Sequence, residues 1–469
     1  MKLRLALPVA AAVALVAAAS AAAFTPTNAY YPKQWYLTQD HAFDAWPSPP
    51  QMLQAVKVAI VDSGVDCSLP DFKGQIALSR TFVGGSPCMD SEGHGTVVAG
   101  EIAGNLDSAG IVGLAYKSQL LVAKVVAPDG TIPLKAEAAA IRWAVDKGAR
   151  VVNLSFGAVR DPLDPALDTY SKVEAQAVAY AVARGVTVVA AAGNSDEASA
   201  TPWEYASWPA ALPHVIGVAA LTRSGNVPDF SDRDPTYVDI AAPGVDIFST
   251  FPEHLTNAQQ GCTPQGYTDC AAGDYRRPEG TSFAAPQVSA AAAVLLGIDP
   301  ALTSSQVSTI LERTADDVDA ASGCVACPAG RDKYSGWGRL DVQKAVAALS
   351  APLPPVDRFE PNDSVLQAHA LWGRKPAVTA TLDYWDDPLD VYRVKLARGQ
   401  RLHALARARW AGATVGLSLW RGRKIAQTPH PGTAQRLSYR ALKAGWYYVE
   451  VRVSRPGGGR YGLRMAKSS

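Results

Sequence analysis

Between residues 57 and 350, short continuous apolar runs alternate with longer alanine-rich segments. The runs 58–61, 121–126, 150–157, 186–192, 215–220 and 238–244 read as strands buried on both faces, because they lack the period-two alternation of a half-solvated sheet. Segments at 93–104, ending near 148, and at 287–296, 304–314 and 340–349 read as helices. Strand followed by helix, repeated, predicts an α/β domain with a mostly parallel sheet flanked by helices. Ala351-Pro352-Leu353-Pro354-Pro355 then forms a stiff linker. Beyond it, 390–394, 401–406, 415–420, 446–451 and 461–463 alternate with period two between Gly- and Pro-bearing turns. That texture predicts a small all-β sandwich domain of about a hundred residues. The expected divisions are a leader at 1–23, the α/β domain at 24–350, the linker at 351–356 and the sandwich at 357–469.

The leader has Lys2 and Arg4, an apolar stretch over 5–19 and small residues at its end, the pattern of a cleaved secretory signal. A retained anchor is the alternative reading. No later stretch reads as a span, so the mature chain is expected to be exported without one. Export permits disulfides, and the six cysteines fall in three local pairs, Cys67–Cys88, Cys262–Cys270 and Cys324–Cys327. A zinc site at Cys324 and Cys327 is the other reading of the last pair, and no second CxxC or His cluster completes it. The net charge of +1 hides an asymmetry: 357–469 carry 20 Lys and Arg against 8 Asp and Glu, and 1–356 carry 24 against 35. A basic module on an exported chain points to an anionic envelope or matrix polymer as partner. No specific nucleic-acid partner and no oligomer is expected; nucleotide-binding fingerprints, HExxH and long repeats are absent from the sequence.

Four polar residues fall where strands end or helices begin. Asp62 closes the first apolar run, His94 stands between Gly93 and Gly95 at a helix start, and Asn194 follows Gly193 at a strand end. Ser282 lies in Gly280-Thr281-Ser282-Phe283-Ala284-Ala285-Pro286, at the mouth of the most alanine-rich helix. Each alone reads as an ordinary turn or cap residue. Together they complete a chemistry. A serine hydroxyl becomes nucleophilic when an imidazole takes its proton, a carboxylate fixes that imidazole's tautomer, and an amide and a helix N-terminus hold the developing oxyanion.

The order Asp, His, Ser, set in Asp62-Ser63-Gly64, Gly93-His94-Gly95-Thr96 and Gly280-Thr281-Ser282-Phe283-Ala284-Ala285-Pro286, resembles the subtilisin-like serine proteases over roughly residues 30–349. The resemblance implies a secreted serine endopeptidase acting on protein or peptide substrates, with Asp62, His94 and Ser282 as triad and Asn194 as oxyanion donor. It also implies that Gly130, Thr131 and Ile132 and the segment Ser155, Phe156 and Gly157 form two edges sandwiching an extended substrate. A structural calcium ion is implied near Asp71, with Asp107 and the carbonyls of Asn105, Ala109 and Ile111 as oxygen ligands. An ordinary Gly-containing turn is the alternative there.

The sequence departs from the family at several points. Val97 stands where many members have His, and Ala29 falls where some supply an Asp to the calcium, leaving only Asn28 beside it. Between leader and domain only residues 22–28 remain, too few for the pro-domain many members carry. The floor of the primary specificity pocket falls near Ser207, with Glu204 close by. Past the linker, Glu360-Pro361-Asn362-Asp363-Ser364, Asp387, Asp390 and Gly445-Trp446-Tyr447-Tyr448-Val449 resemble the bacterial pre-peptidase C-terminal domain. In that domain Glu360, Asn362, Asp363, Asp387 and Asp390 read either as calcium ligands or as an Asx-turn cluster. Two rival functions stand beside the protease: a catalytically silent scaffold that binds polymer, and an esterase or transacylase using the same triad.

Overall fold

The structure, a computed structural model, describes residues 24–47, 53–195, 198–258, 275–351, 357–363, 365, 367–384, 387–455 and 457–468. The leader 1–23, linker residues 352–356 and the Cys262–Cys270 pairing lie outside the described residues. Cys67–Cys88 and Cys324–Cys327 are disulfides, which excludes zinc on the latter pair.

In chain order the first domain runs α1 (Trp35–Gln39), α2 (Ala42–Ala45), β1 (Lys57–Asp62), β2 (Ile76–Thr81), α3 (His94–Ala103), β3 (Gln119–Lys124), α4 (Leu134–Asp146) and β4 (Val151–Leu154). It continues with α5 (Lys172–Val182), β5 (Thr187–Ala191), β6 (Val215–Leu221), β7 (Ile240–Pro243), β8 (Ser249–Thr250), α6 (Glu253–Ala258), β9 (Tyr275–Arg276), α7 (Thr281–Ile298), α8 (Ser304–Thr314) and α9 (Val342–Ala348). A parallel seven-stranded sheet of order β2-β3-β1-β4-β5-β6-β7 forms the middle layer. Its inner strands are buried along almost their whole length, as continuous apolar runs between two helical layers must be. Helices α3 and α7 pack on one face of the sheet and α4 and α5 on the other, giving two separate cores. Strand ends of such a sheet face the crevice where ligands bind, and Asp62 closes β1 there.

Two differences from the sequence reading have plain causes. The serine helix begins at Thr281 rather than at 287, because Pro286 is accommodated inside α7 instead of preceding it. Strand β2 lies at a sheet edge with most side chains partly or fully exposed, so it lacks the apolar run that marks the others. Close approach also shapes α3: a Cβ on Gly100 would stand 2.3 Å from Thr250 Oγ1 and 2.5 Å from Ser249 Oγ. With hydrogen there instead, these hydroxyls donate to the carbonyls of Thr96 and Val97.

The second domain contains β10 (His369–Ala370), β11 (Ala377–Asp383), β12 (Leu389–Leu396), β13 (Arg401–Ala408), β14 (Val415–Trp420), β15 (Lys424–Gln427), β16 (Ala434–Arg440), β17 (Gly445–Val453) and β18 (Gly458–Ser468). Two sheets, β10-β12-β17-β14-β15 and β11-β18-β13-β16, enclose one apolar core, the predicted sandwich. The domains meet through a polar seam: His214 bonds Asp363 at 2.8 Å and approaches Glu360 at 3.4 Å, and Arg313 pairs with Asp383 at 2.6 Å. Burial works against the His214 proton, but Asp363 and Glu360 outweigh it and hold its pKa well above the ordinary value.

On the face opposite α7, Glu137 in the first turn of α4 and Glu174 in the first turn of α5 are buried against each other. Burial, reinforced at Glu137 by the neighbouring carboxyl, raises both pKa values, that of Glu137 to about 9. The folded state therefore holds protons that the unfolded chain releases. Their contribution to stability is complete below the ordinary carboxyl value and is lost as pH rises through the raised ones. Glu137→Gln, which keeps a donor for Glu174 without a titrating proton, should flatten the fall in Tm between neutral pH and about pH 9. Parallel Tm profiles for wild type and variant would show that the pair carries no such linkage.

Candidate active site

Asp62 and His94 are brought together by the approach of two backbones. A Cβ on Gly95 would lie 2.1 Å from Gly64 O and 3.1 Å from Asp62 Oδ1, so the first turn of α3 docks directly on the end of β1. His94 Nδ1 then stands 2.8 Å from Asp62 Oδ1, with the imidazole 29% exposed and the carboxylate 3%. Asp62 Oδ1 also accepts from the Ser63 amide at 2.7 Å, which holds the carboxylate in place. Burial alone would lower the His94 pKa. Asp62, by charge and hydrogen bond, and then Asp90 and Glu92 more than reverse this, so the imidazole is a stronger base than a free one.

Asp90 is fully buried beneath this pair. Its Oδ1 accepts from Ser63 Oγ and the amides of Glu92 and Gly93, and its Oδ2 from the amide and hydroxyl of Thr96. It thus caps α3 from outside, where the Gly93 cap position has no side chain to do so. Lys124, at the end of β3 and paired in register with Asp62, donates to the carbonyls of Ser63 and Met89 and offsets the local negative charge. The Cys67–Cys88 disulfide ties together the loops on either side of this cluster.

Ser282 is the second residue of α7, and its position depends on a proline. Pro286 has no N–H to give the carbonyl four residues earlier, so the Ser282 carbonyl has no partner within the helix. Ser155 Oγ supplies the bond at 2.7 Å, itself receiving one from Asn153 Nδ2, whose Oδ1 accepts from Ser289 Oγ. This buried relay joins the end of β4 to the first and third turns of α7. Thr281 performs the matching task for Asn194: its amide and hydroxyl both donate to Asn194 Oδ1, at 3.0 and 2.9 Å. An amide N–H is an unambiguous donor, so the Asn194 orientation is fixed and Nδ2 is left to donate elsewhere.

Asp62, His94, Asn194 and Ser282 all line one cavity of about 420 Å³. The His94 ring lies 5.2 Å from that of Phe283, next to the serine. No hydrogen bond joins Ser282 Oγ to His94 among the described residues. Gly130, Ile132, Ser155, Phe156 and Gly157 line the same cavity, whereas the Thr131 hydroxyl is bonded to Asp129 in an exposed turn. Ser207 is also in the lining, its hydroxyl donating to buried Asp232, and Glu204 is ion-paired with Lys333.

The loop after α3 gathers acceptors at one point. The carbonyls of Asn105, Ala109 and Ile111 lie 2.8, 2.6 and 2.8 Å from Asn28 Nδ2, and Asp107 Oδ1 lies 3.4 Å from it. Asn28 Oδ1 is buried without a partner among the described residues. Asp71 borders the loop, taking the Ile111 amide on Oδ1 and the Tyr275 hydroxyl on Oδ2, and burial raises its pKa. Asn28, not Ala29, is the residue of the N-terminal arm that reaches this loop. In the sandwich, carboxylate oxygens of Asp357, Glu360 and Asp390 lie within 4.8 Å of one another. Asp390 also accepts from Tyr392 and Tyr461, Asn362 Oδ1 accepts from the Val391 amide, and Asp387 is pushed well above its ordinary pKa by burial and by Asp390.

The subtilase family model matches residues 54–338, which contain all four cavity residues. The chain belongs to the subtilase family. Subtilisin of Bacillus pumilus is 33% identical over 290 residues, 62% of this chain and 90% of that one. The thermophilic serine proteinase of Bacillus sp. strain AK1 is 32% identical, covering 69% of this chain and 70% of its own. The cell wall-associated protease of Bacillus subtilis strain 168 is 33% identical over 67% of this chain, which spans only 33% of that longer protein. Within this subtilase, Asp90, Lys124 and Thr281 escaped the sequence reading. A lone lysine in an otherwise apolar run, and an Asp four residues before His94, were the signals available.

The relay makes a quantitative claim. Ser155→Ala should destabilise the fold by up to about 1–3 kcal/mol by orphaning a part-buried carbonyl. In a Pro286→Ala background, where a helical N–H reaches that carbonyl, the same change should cost markedly less. A double-mutant cycle by denaturant unfolding measures this, and additive effects would show that the two groups do not share the carbonyl.

Proposed function

We propose that this subtilase is an exported serine endopeptidase whose triad is Asp62, His94 and Ser282. The observation carrying this reading is the His94–Asp62 contact in a cavity shared with Ser282 and Asn194. Ser282 Oγ attacks the scissile carbonyl carbon while the imidazole takes its proton, and the buried Asp62 carboxylate stabilises the imidazolium. Asn194 Nδ2 and the Ser282 amide at the helix N-terminus donate to the oxyanion. Collapse of the tetrahedral intermediate transfers the proton to the leaving amine, and water repeats the sequence on the acyl-enzyme. The segments 130–132 and 155–157 hold the substrate backbone on the two sides of the cleft, with Gly130, Ile132, Phe156 and Gly157 as the lining that supports this. Ser282→Ala should abolish peptide hydrolysis and fluorophosphonate labelling in a folded protein, and retained labelling would remove Ser282 from the role. Asn194→Ala should lower kcat by about 10²- to 10³-fold with KM little changed, a magnitude established on subtilisin itself rather than obtained from this chain.

We also infer that a structural calcium ion belongs at the loop 105–111. Three carbonyls and a carboxylate converging on one point suit a hard cation, and Asn28, turned about its amide, would present its orphaned oxygen to it. Asp107 and Asp71 supply the negative charge. The ion would pin the N-terminal arm to the loop and stabilise the folded state by preferential binding. The Tm of the Ser282→Ala protein should rise with calcium, saturating only at high concentration, and Asp107→Ala should remove most of that rise; equal responses would refute the site. The mature protein is further read as a monomer whose basic C-terminal domain meets an anionic polymer.

A further inference from the structure

One outer face of the sandwich domain is almost purely cationic. Along β13, β16 and β18 the side chains directed away from the core include Arg401, Arg407, Arg436, Arg440, Arg460 and Arg464, every one exposed. None is in an ion pair among the described residues; Arg440 alone donates, to the Gly399 carbonyl. The outward carboxylate on this sheet, Asp383, is already held by Arg313 of the first domain. Sheet register places Arg401 directly opposite Arg440, a like-charge pair that works against folding. Leu405 lies opposite both Arg436 and Arg464, so these two arginines flank it at two interstrand steps, roughly 9–10 Å apart. A shallow groove of about 750 Å³ runs here, lined by Ala377, His403, Leu405, Arg436, Ser438 and Arg464.

We propose that this arginine face is a docking surface for a linear polysaccharide whose sugar rings carry carboxylates. This rests on the reading of the C-terminal domain as polymer-binding and assigns that binding to one face. Charge complementarity supports the choice, since unpaired arginines repel one another until an anion neutralises them. Arginine favours carboxylates through its bidentate fork, and the guanidinium and ammonium groups directed outward from these three strands are all arginine, with Lys375 bordering the groove just before β11. Spacing supports it further: alternate rings of an extended uronate chain turn carboxylates to the same side, with apolar ring faces between them that fit Leu405 and Ala377. Single-stranded nucleic acid fits less well, because no Phe, Tyr or Trp points outward on these strands for bases to stack on. A membrane surface fits less well too, because Leu405 is the only large apolar side chain among those positions and it is half-buried.

The test measures affinity of the full-length protein for a fluorescent galacturonate oligomer at several salt concentrations. Arg436→Ala/Arg464→Ala should weaken binding by about tenfold or more and lower the salt slope by about one for each arginine removed. Arg407→Ala/Arg460→Ala, on the same face, should act in the same direction. Arg423→Ala/Arg455→Ala removes equal charge from outside the face and should leave affinity within about twofold. Peptide hydrolysis should be unchanged throughout. Equal weakening by all three doubles would overturn the face while leaving polymer binding standing, whereas no binding by the unaltered protein would overturn both. Tighter binding of duplex DNA or of anionic lipid vesicles at matched charge would assign the face to another partner and overturn the proposal.

Discussion

A proline in the second turn of a buried helix leaves one carbonyl without a partner, and the cleft is built around the way that carbonyl is satisfied. The Ser282 carbonyl is part-buried against the end of β4, and leaving it bare would cost up to about 1–3 kcal/mol. Ser155 meets it from the end of β4, and the Ser289–Asn153 bond locks the same strand to the helix two turns further in. The consequence is positional. The start of α7 is referenced to the strand end that borders the cavity, so the serine and the segment at 155–157 are positioned together.

Electrostatics complete the arrangement. Asp62, Asp90 and Glu92 crowd around His94, and carboxylates so close repel one another. Burial raises the pKa of Glu92, and its two neighbours add to this. Relief comes from the amides of the α3 first turn, from Ser63 and Thr96, and from the buried Lys124 ammonium. Asp62 Oδ1 serves both the imidazole and the Ser63 amide, whereas both oxygens of Asp90 are taken by Ser63, Thr96 and the amides before and within the first turn of α3. Two acids 28 residues apart are thereby separated into one that orients and one that caps.

The sequence made the fold and four cavity residues legible because both rest on local signals. Continuous apolar runs mark strands covered on both sides, and Gly-flanked polar residues mark their ends. What it concealed depends on contacts between distant segments. Asp90 looks like a turn former, and only the docking of α3 on β1 makes it a cap for the histidine helix. Asn28 sits next to the position that the family pattern points to, and it reaches the loop at 105–111 because the arm before α1 is tied to that loop on both sides, Thr27 Oγ1 donating to the Asp107 carbonyl and the Tyr30 amide to the Gly110 carbonyl. Strand β16 carries one buried leucine among polar neighbours, so its alternation was too faint to read. Its arginines, exposed and evenly spaced, are what the fold makes of a sequence that had shown only surplus charge.

That surplus is not spread evenly over the sandwich. Asp357, Glu360, Asp363, Asp387 and Asp390 gather at the seam, where His214 of the first domain meets two of them. The arginines occupy the other sheet, on its outward face. A domain with 20 basic and 8 acidic residues is therefore more polarised than its totals suggest, with negative charge turned toward its neighbour and positive charge toward solvent. The first domain is net negative, so charge alone would not dock the acidic seam against it. His214, whose pKa Asp363 and Glu360 hold well above the ordinary value, and the Arg313–Asp383 pair do so instead. Docking by a few directional bonds, rather than by bulk attraction, leaves the cationic face uncompensated and open to a partner.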